Sequence, residues 1–418
     1  MDKTKWTPTV FDFCVEFGRQ MILCGANLER VQVEIDRIAH AYEIEDHSLY
    51  LLSSFLSMAG REKDGTYVSR EVSIPPMNIH LDRLKRLNSM YYRVIEETPP
   101  PEILMKWLEE AKDAKEYPWW VVNLAQIAAL CCVAMMFGGR ISEVISMIFI
   151  VFGLQVLIQL MKWPGLDRIV VNATLMFAAT TMGYFIFTDY SLNFPIILIT
   201  ASIMLIPGIP MVNAARNLLC GNEMNGILQV FKVTIETLSL AAGIVIAIWL
   251  FDIPGVMQNV VVDGPTSALY LIVLSFLVSF FNGITFKITP RDLFFAGIGG
   301  ALSRVVLILV PAATRNPLLI ATIAALVAAS YAEILANKRS TPSTYFIYPS
   351  ILPMIPGGSF YYAIIGIYSG DRAMFLLNGK ECLLTLCGMS IGFVLSSIIA
   401  HYIRKVRHTH LTIDRAVK

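Results

Sequence analysis

Long apolar stretches follow one another along the chain from residue 119 onward, separated by short polar segments. Ten of them are close to the roughly 20 residues that a helix needs to cross a bilayer. They lie at 119–138, 141–162, 168–188, 193–211, 225–250, 267–286, 292–312, 316–336, 344–367 and 380–403. This pattern predicts an α-helical membrane domain with ten transmembrane helices.

Two of these stretches contain residues that fit a helix interior poorly. Pro207-Gly208 interrupts the fourth stretch, within "ILITASIMLIPGIPMVNAARNLLCGN", and Pro356-Gly357 interrupts the ninth, within "YPSILPMIPGGSFYYAIIGIYSGD". Proline removes a backbone hydrogen bond and glycine adds conformational freedom, so each pair is costly in a helix interior. A pair of tolerated proline kinks is the alternative explanation. Because the two contexts match, we interpret both as broken helices that serve the function.

The first 118 residues have a different pattern, in which apolar and charged positions alternate at short range. Apolar residues at helical spacing predict helices at about 8–24 and 28–42. Two strand-like runs, "HSLYLLSSFLSMAG" and "TYVSREVSIPP", are joined through "REKDG", which indicates a hairpin. Charged helices at about 80–96 and 101–116 complete a small α+β domain.

Composition and charge support this division. The chain is 56% hydrophobic with a mean hydropathy of +0.61, which excludes an ordinary soluble protein. Residues 1–118 hold 35 Asp, Glu, Lys and Arg, whereas the remaining 300 residues hold only 30. We therefore predict a cytoplasmic domain at 1–118, membrane repeats of five helices each at 119–264 and 265–405, and a cytoplasmic tail at 406–418.

Lysine and arginine in the short loops predict the orientation, because cytoplasmic loops are enriched in both. With the N-terminus inside, the inner loops hold seven of them and the outer loops four. The first apolar stretch carries Asp12, Glu16 and Arg19, so it is not a signal peptide. Both termini are therefore expected in the cytoplasm.

The two interruptions occupy equivalent places, each in the fourth helix of a five-helix set. Because five is an odd number, the second set is expected to cross the membrane in the opposite sense, as inverted repeats do in many secondary transporters. The two breaks then approach a common level from opposite faces of the bilayer. Freed backbone groups and half-helix ends at that level suit a polar solute.

Candidate site residues lie at the breaks and at two ionisable positions deep in apolar helices. Arg216 either neutralises a substrate carboxylate or marks a cytoplasmic loop. Glu236 and Arg304 are candidates for proton coupling, because a lone charge at the bilayer centre is costly, and a structural ion pair between their helices is the alternative. The candidate substrate-binding residues are Pro207, Gly208, Asn213, Arg216, Pro356, Gly357 and Ser359.

Other chemistry finds no support in the sequence. The seven cysteines lack zinc spacing, no Walker A motif is present, and no basic patch with interleaved aromatic residues indicates nucleic acid. Neither a Ser-His-Asp nor a Cys-His constellation stands out in residues 1–118. We expect no metal, no cofactor and no enzymatic activity, and the sequence leaves a homo-oligomer open.

Four segments together resemble the threonine/serine exporter family of bacterial membrane proteins. These are "GANLERVQVEIDRIA", "NIHLDRLKRLNSMYYRV", "LIPGIPMVNAARNLLCGNEMNG" and "MIPGGSFYYAI". The first departs from the family's Arg-Val-Glu pattern, because Gln32 follows Arg30-Val31 and Glu34 comes two positions later. The resemblance implies ten spans in the bacterial plasma membrane, a cytoplasmic N-terminal module and export of small hydrophilic metabolites driven by the proton gradient.

The expected function is thus proton-driven export of threonine or serine across the lipid bilayer. Some relatives in this family are linked to dicarboxylates such as succinate, so a dicarboxylate exporter is the alternative. A membrane-anchored hydrolase and a non-transporting scaffold are the two further classes that the sequence leaves open.

Overall fold

The computed structural model describes residues 9–62, 65–162, 166–186, 193–253 and 267–416, with side chains up to residue 403. The chain forms two compact units. The first comprises residues 1–117 together with 286–290 and 335–345, and the second comprises 118–285, 291–334 and 346–418. The connection at 254–266 lies outside the described residues.

In its described part, the N-terminal segment of the first unit combines four helices with a three-stranded antiparallel sheet in the order β1-β2-β3. The hairpin predicted through "REKDG" joins β2 to β3, and Arg61 pairs with Tyr67 beside it. The first strand-like run contains two strands rather than the one expected, because the chain turns at Leu52, whose N–H donates to the Phe55 carbonyl at 2.8 Å. The elements are α1 (Val10–Leu23), α2 (Leu28–Ala41), β1 (Glu45–Leu51), β2 (Phe55–Arg61), β3 (Tyr67–Ser73), α3 (Leu81–Glu97) and α4 (Pro101–Lys112).

Part of the core of this unit lies between α1, α2 and the buried face of β2, and leucines of α3 and α4 such as Leu84 and Leu104 are buried as well. Gly18 of α1 allows the close approach, because a Cβ there would lie 2.6 Å from Leu56 Cδ1 and 2.7 Å from Ile35 Cδ1. Leu56 and Met58 alternate with half-buried residues along β2, as expected for a strand with one covered face. The helix start is fixed by a capping box between Thr9 and Asp12.

The segment 286–290 belongs to the first unit through main-chain hydrogen bonds at the start of α3. The N–H of Leu81 donates to the Phe286 carbonyl at 2.9 Å, and Tyr117 Oη donates to the Ile288 carbonyl at 2.7 Å. Thr289 N donates to Tyr345 Oη at 2.9 Å, which ties this segment to the second one. No pattern in the sequence indicates these partners.

The segment 335–345 contacts α3 through the buried Asn88 and the half-buried Lys85. Asn88 Nδ2 donates to the Ser340 carbonyl at 3.3 Å, and Lys85 Nζ lies 5.4 Å from the centroid of the Tyr345 ring. Arg30 of α2 donates to Asn88 Oδ1 and, through Nε, to Glu34 Oε1 at 2.7 Å. Helix α2, which carries Arg30 and Glu34, therefore supports Asn88, the residue of α3 that binds this segment.

A buried histidine occupies the N-cap of α3. His80 is 2% exposed, and its Nδ1 accepts from the Arg83 N–H at 3.2 Å. Burial lowers the pKa of His80 to about 4, assisted by the cations of Lys287 and Arg83, while Glu116 at 3.7 Å acts in the opposite direction. His80 is therefore neutral at physiological pH.

The second unit consists of helices and short helical turns in its described part. Eight helices are long and apolar enough to cross a membrane, or ten if each of two bent pairs counts as one span. The predicted stretches at 193–211 and 344–367 correspond to those bent pairs. The helices are α5 (Trp119–Met136), α6 (Ile141–Leu160), α7 (Arg168–Ile186), α8 (Phe194–Leu205), α9 (Gly208–Leu219), α10 (Glu223–Phe251), α11 (Ala268–Thr285), α12 (Leu293–Leu309), α13 (Pro317–Arg339), α14 (Thr344–Ile351), α15 (Gly357–Ser369) and α16 (Arg372–Ala416).

The two halves of this unit share one spacing along the chain. A single shift of 149 positions carries the first residues of α5, α7, α9 and α10 onto those of α11, α13, α15 and α16. The same shift carries the last residues of α5 and α6 onto those of α11 and α12. No insertion or deletion therefore separates the equivalent helices between these positions.

Packing repeats with the same spacing. A Cβ added at Gly243 of α10 would lie 2.3 Å from the Ala173 carbonyl oxygen of α7. A Cβ added at Gly392 of α16 would lie 2.5 Å from the Thr322 carbonyl oxygen of α13. Both members of the second contact are 149 positions beyond those of the first. Each half thus uses a glycine to let its last helix touch the backbone of its third.

Candidate functional site: the two helix breaks

The two breaks have nearly the same backbone conformation. Ile206 has φ −60° and ψ 127°, followed by Pro207 with φ −75° and ψ 59°. Ile355 has φ −60° and ψ 126°, followed by Pro356 with φ −78° and ψ 58°. These proline angles are those of an inverse γ-turn. The bends are 56° between α8 and α9 and 50° between α14 and α15.

Each turn is closed by a hydrogen bond across the proline. Gly208 N donates to the Ile206 carbonyl and Gly357 N to the Ile355 carbonyl, both at 2.8 Å. The new helix starts immediately, since Met211 N already donates to the Pro207 carbonyl at 2.9 Å. Each break is therefore a compact change of direction with few residues outside helix.

The two breaks pack against each other. A Cβ at Gly208 would lie 2.5 Å from Ile355 Cδ1, the residue just before the second proline. A Cβ at Gly357 would lie 2.3 Å from Ile203 Cγ1, four residues before the first proline. Both glycines are thus required by a close approach, and each break covers the other. The four predicted residues Pro207, Gly208, Pro356 and Gly357 come together in one place.

The carbonyl groups that the breaks release are treated differently in the two halves. Arg304 Nη2 of α12 donates to the Pro353 carbonyl at 2.9 Å, and its Nε donates to Ser275 Oγ of α11 at 2.9 Å. Within the described part of the chain, no donor reaches the carbonyls of Met204 and Leu205 at the end of α8. The carboxyl end of α14 and its following turn is therefore neutralised by a guanidinium, and that of α8 is not.

Asn213 and Arg216 extend from the half-helix after the first break to helices of the other half. Asn213 Nδ2 donates to Tyr348 Oη at 3.3 Å, and Arg216 Nη2 donates to Ser397 Oγ at 3.2 Å. Arg216 Nε is buried and has no partner among the described residues. Ser359 is half-buried on the first turn of α15. Of these three residues, Ser359 lies on the first turn after a break, whereas Arg216 lies in the last turn of α9.

Glu236 lies in the middle of α10 and is 7% exposed. Its Oε1 is buried without a hydrogen-bond partner in the described part of the chain. The contact between Asn217 Nδ2 and Gln229 Oε1 (2.9 Å) fixes the register of α9 against α10. At a rise of 1.5 Å per residue, Gly208 lies about 14 Å before Asn217 along α9, and Glu236 lies about 11 Å after Gln229 along α10. Glu236 is therefore level with the first turn of α9.

Glu236 and Arg304 do not form an ion pair in this structure. Arg304 instead donates hydrogen bonds to Ser275 Oγ and to the Pro353 carbonyl. The alternative of a structural ion pair is therefore not seen between these two described side chains, and the role of both residues in proton coupling stays a prediction. Arg304 instead stabilises the negative end of a half-helix, which is the position that favours a cation.

Among the buried polar residues that the sequence did not single out are Gln155 and Glu143, neither of which is an ionisable residue in the middle of a helix. Gln155 of α6 is 5% exposed, and its Nε2 donates to the Asn123 carbonyl at 3.2 Å and to Gln126 Oε1 at 3.3 Å. Glu143 is 1% exposed, and its Oε1 accepts from Asn193 N at 3.0 Å. For Gln155, the available signal in the sequence was its position within the apolar run "FGLQVLIQL".

Across the described residues, no group of three or more His, Cys, Asp or Glu side chains has an arrangement that could hold a metal ion. The cysteines there are free thiols. The polar groups at the breaks are instead backbone carbonyls, amides and guanidinium groups, which suit an organic solute with separate positive and negative ends.

Two family models match the chain. The family described as "Putative threonine/serine exporter" matches residues 12–251, which include the first unit's helices and sheet and the first break. The family described as "Threonine/Serine exporter, ThrE" matches residues 271–399, which include the second break. Searches of curated proteins and of solved structures found no match. The chain therefore belongs to the threonine/serine exporter family and is a multi-pass membrane protein of a transporter family.

Proposed function

We propose that this protein exports threonine or serine across the bacterial plasma membrane, with proton entry as the driving force and both termini in the cytoplasm. The observation that carries the proposal is the mutual packing of the two helix breaks, Gly208 against Ile355 and Gly357 against Ile203. Backbone without regular hydrogen bonds is tolerated at membrane depth only inside protein or beside a polar cavity, so the paired breaks support the proposal of a site here.

An inverted repeat accounts for the constant spacing of 149 positions. Equivalent helices begin at Trp119 and Ala268, and at Arg168 and Pro317. Each half contributes five spans when a bent pair counts as one, so successive halves cross the bilayer in opposite senses. Transporters of this plan bind substrate between discontinuous helices and change access by moving one bundle against the other.

The substrate is proposed to bind at the breaks as a zwitterion. Its carboxylate is assigned to the amino ends of α9 and α15, which start at Gly208 and Gly357 and carry partial positive charge. Arg216 has a buried Nε without a partner among the described residues, but it lies in the last turn of α9, about 12 Å along the helix from Gly208, so its charge is assigned to attracting the carboxylate rather than to contacting it there. Asn213 and Ser359 supply polar contacts for the side-chain hydroxyl that threonine and serine share.

Proton coupling is assigned to Glu236. It is buried, its Oε1 is unsatisfied within the described residues, and it is level with the first turn of α9. A carboxyl group in such a place can take up a proton when the site faces one side and release it when the site faces the other. Arg304 is proposed to change partners between the two states, and in this structure it holds the Pro353 carbonyl.

Counterflow in proteoliposomes tests the proposal. Vesicles preloaded with unlabelled threonine are expected to take up labelled threonine and serine, and an applied pH gradient is expected to drive accumulation. Labelled succinate serves as the discriminating arm, because exchange of succinate without threonine would identify a dicarboxylate exporter instead. Absence of exchange for all three solutes by correctly reconstituted protein would refute the export function.

A further inference from the structure

The equivalence between the two halves reaches individual side chains in the helix cores. Gln126 and Gln155 contact each other in the first half, and Ser275 and Arg304 contact each other in the second. Both residues of the second pair are 149 positions beyond those of the first. Gln155 therefore occupies the place in the first half that Arg304 occupies in the second.

The carbonyl that Arg304 binds also has an equivalent. Arg304 donates to the Pro353 carbonyl, and the residue 149 positions earlier is Met204, near the end of α8. The register of α6 against α8 agrees, because Glu143 Oε1 accepts from Asn193 N. Both helices run onward from this contact. Gln155 lies twelve residues after Glu143 in α6, and Leu205 lies twelve residues after Asn193 at the end of α8. The side chain of Gln155 is thus level with the released carbonyls of α8.

The groups at this level are hydrogen-bond acceptors. No donor reaches the carbonyls of Met204 and Leu205 among the described residues, and Gln155 Oε1 is buried without a partner there. The Nε2 group of the same amide is occupied by Asn123 and Gln126. The carboxyl end of a helix also carries partial negative charge. Acceptors at a negative helix end suit a small cation.

From these observations we infer that the end of α8, with Gln155, is a binding site for a monovalent cation, and that its occupant during export is the ammonium group of the amino acid. The guanidinium of Arg304 shows how the same architecture holds a positive charge in the second half. In this structure the guanidinium of Arg304 already occupies the carboxyl end of α14 and its following turn. The two halves therefore bind the solute unequally, and the substrate's ammonium group binds at the end of α8. This choice of occupant rests on the proposed function.

A tethered cation provides the direct test. Gln155→Arg places in the first half the side chain that the second half carries, and it is expected to occupy the site itself. Gln159→Arg is the matched control, because Gln159 lies one turn further along α6 and is exposed. Binding of labelled serine to purified protein is expected to weaken at least about tenfold in Gln155→Arg and to stay unchanged in Gln159→Arg, since hydrogen bonds to a charged group are lost only in the first.

Two probes identify the source of the positive charge. Ethanolamine carries the ammonium group without the carboxylate, and its competition with labelled serine on the wild-type protein supports the ammonium group as occupant. Labelled sodium ion tests an inorganic cation at the same place: binding to the wild-type protein that is lost in Gln155→Arg supports a sodium site instead. Binding of serine and sodium by Gln155→Arg at wild-type strength would overturn the inference, and so would equal losses in both arginine variants.

A second variant keeps the test decisive if Gln155→Arg does not fold. Gln155→Met keeps a similar volume and removes Oε1, so it is expected to weaken binding of the cationic probe, and unchanged affinity contradicts the site. Failure of the proposed function is distinguishable from failure of the site. A wild-type protein without threonine or serine counterflow refutes the function, whereas ethanolamine and sodium binding still report on the cation site.

Discussion

Gly357→Ala tests whether the contact between the two breaks stabilises the protein. The added Cβ would lie 2.3 Å from Ile203 Cγ1 and 2.6 Å from Ile203 Cδ1, well inside the separation of about 3.5–4.0 Å at which carbon atoms pack. Overpacking of this kind costs about 1–3 kcal/mol. The next residue is a matched control, because a Cβ at Gly358 meets only Phe137 Cε1 at 3.5 Å. In a helix, Gly358→Ala is expected to gain up to about 1 kcal/mol.

The two adjacent substitutions should therefore differ by about 1–4 kcal/mol in the free energy of unfolding. Chemical unfolding in one detergent measures this difference, and threonine counterflow measures its effect on transport. Gly357→Ala is expected to lower both the unfolding midpoint and the transport rate. Adding Ile203→Ala to Gly357→Ala should recover part of the loss, because it removes the atoms that clash. Equal stability of the two single variants would refute the reasoning.

Three further predictions concern other parts of the chain. Gly392→Ala should destabilise the second unit by about 1–3 kcal/mol, because the added Cβ would lie 2.5 Å from the Thr322 carbonyl oxygen. Gly379→Ala is the control, since its Cβ would lie 3.9 Å from the nearest atom and should not destabilise the protein. Thermal unfolding of the two variants measures the difference. Glu236→Gln should abolish accumulation driven by a pH gradient and spare exchange; continued accumulation excludes Glu236 as the proton carrier. Hydrogen exchange in α3, corrected for its intrinsic pH dependence, should show that the stability of this helix falls as the pH drops from about 6.5 to 4. The reason is that His80 takes up a proton at higher pH in the unfolded chain than in the folded one, which costs roughly 1.4 kcal/mol of stability per pH unit. His80→Asn keeps a hydrogen-bond acceptor at the N-cap and should remove this pH dependence.

The length of the apolar stretches predicted most helix bounds from the sequence. Span length depends on bilayer thickness and helical rise, and both act on each stretch independently of its neighbours. The predicted stretch at 141–162 became α6 (Ile141–Leu160), and that at 225–250 became α10 (Glu223–Phe251). The breaks at Pro207 and Pro356 were also readable, because proline acts on the backbone within one turn. The third strand was missed, since the turn at Leu52 carries no glycine or proline.

What the chain by itself determined is therefore the set of local features: which segments are apolar, how long they are and where a helix must end. Only the tertiary structure decided which features meet. The packing of Gly208 on Ile355 and the binding of the Pro353 carbonyl by Arg304 depend on distances between residues far apart in the chain, and so does the lack of a partner for Gln155 Oε1 among the described residues. A side chain's charge predicts that it needs a partner, but its partner is fixed by the register of packed helices, and that register follows from many small contacts acting together.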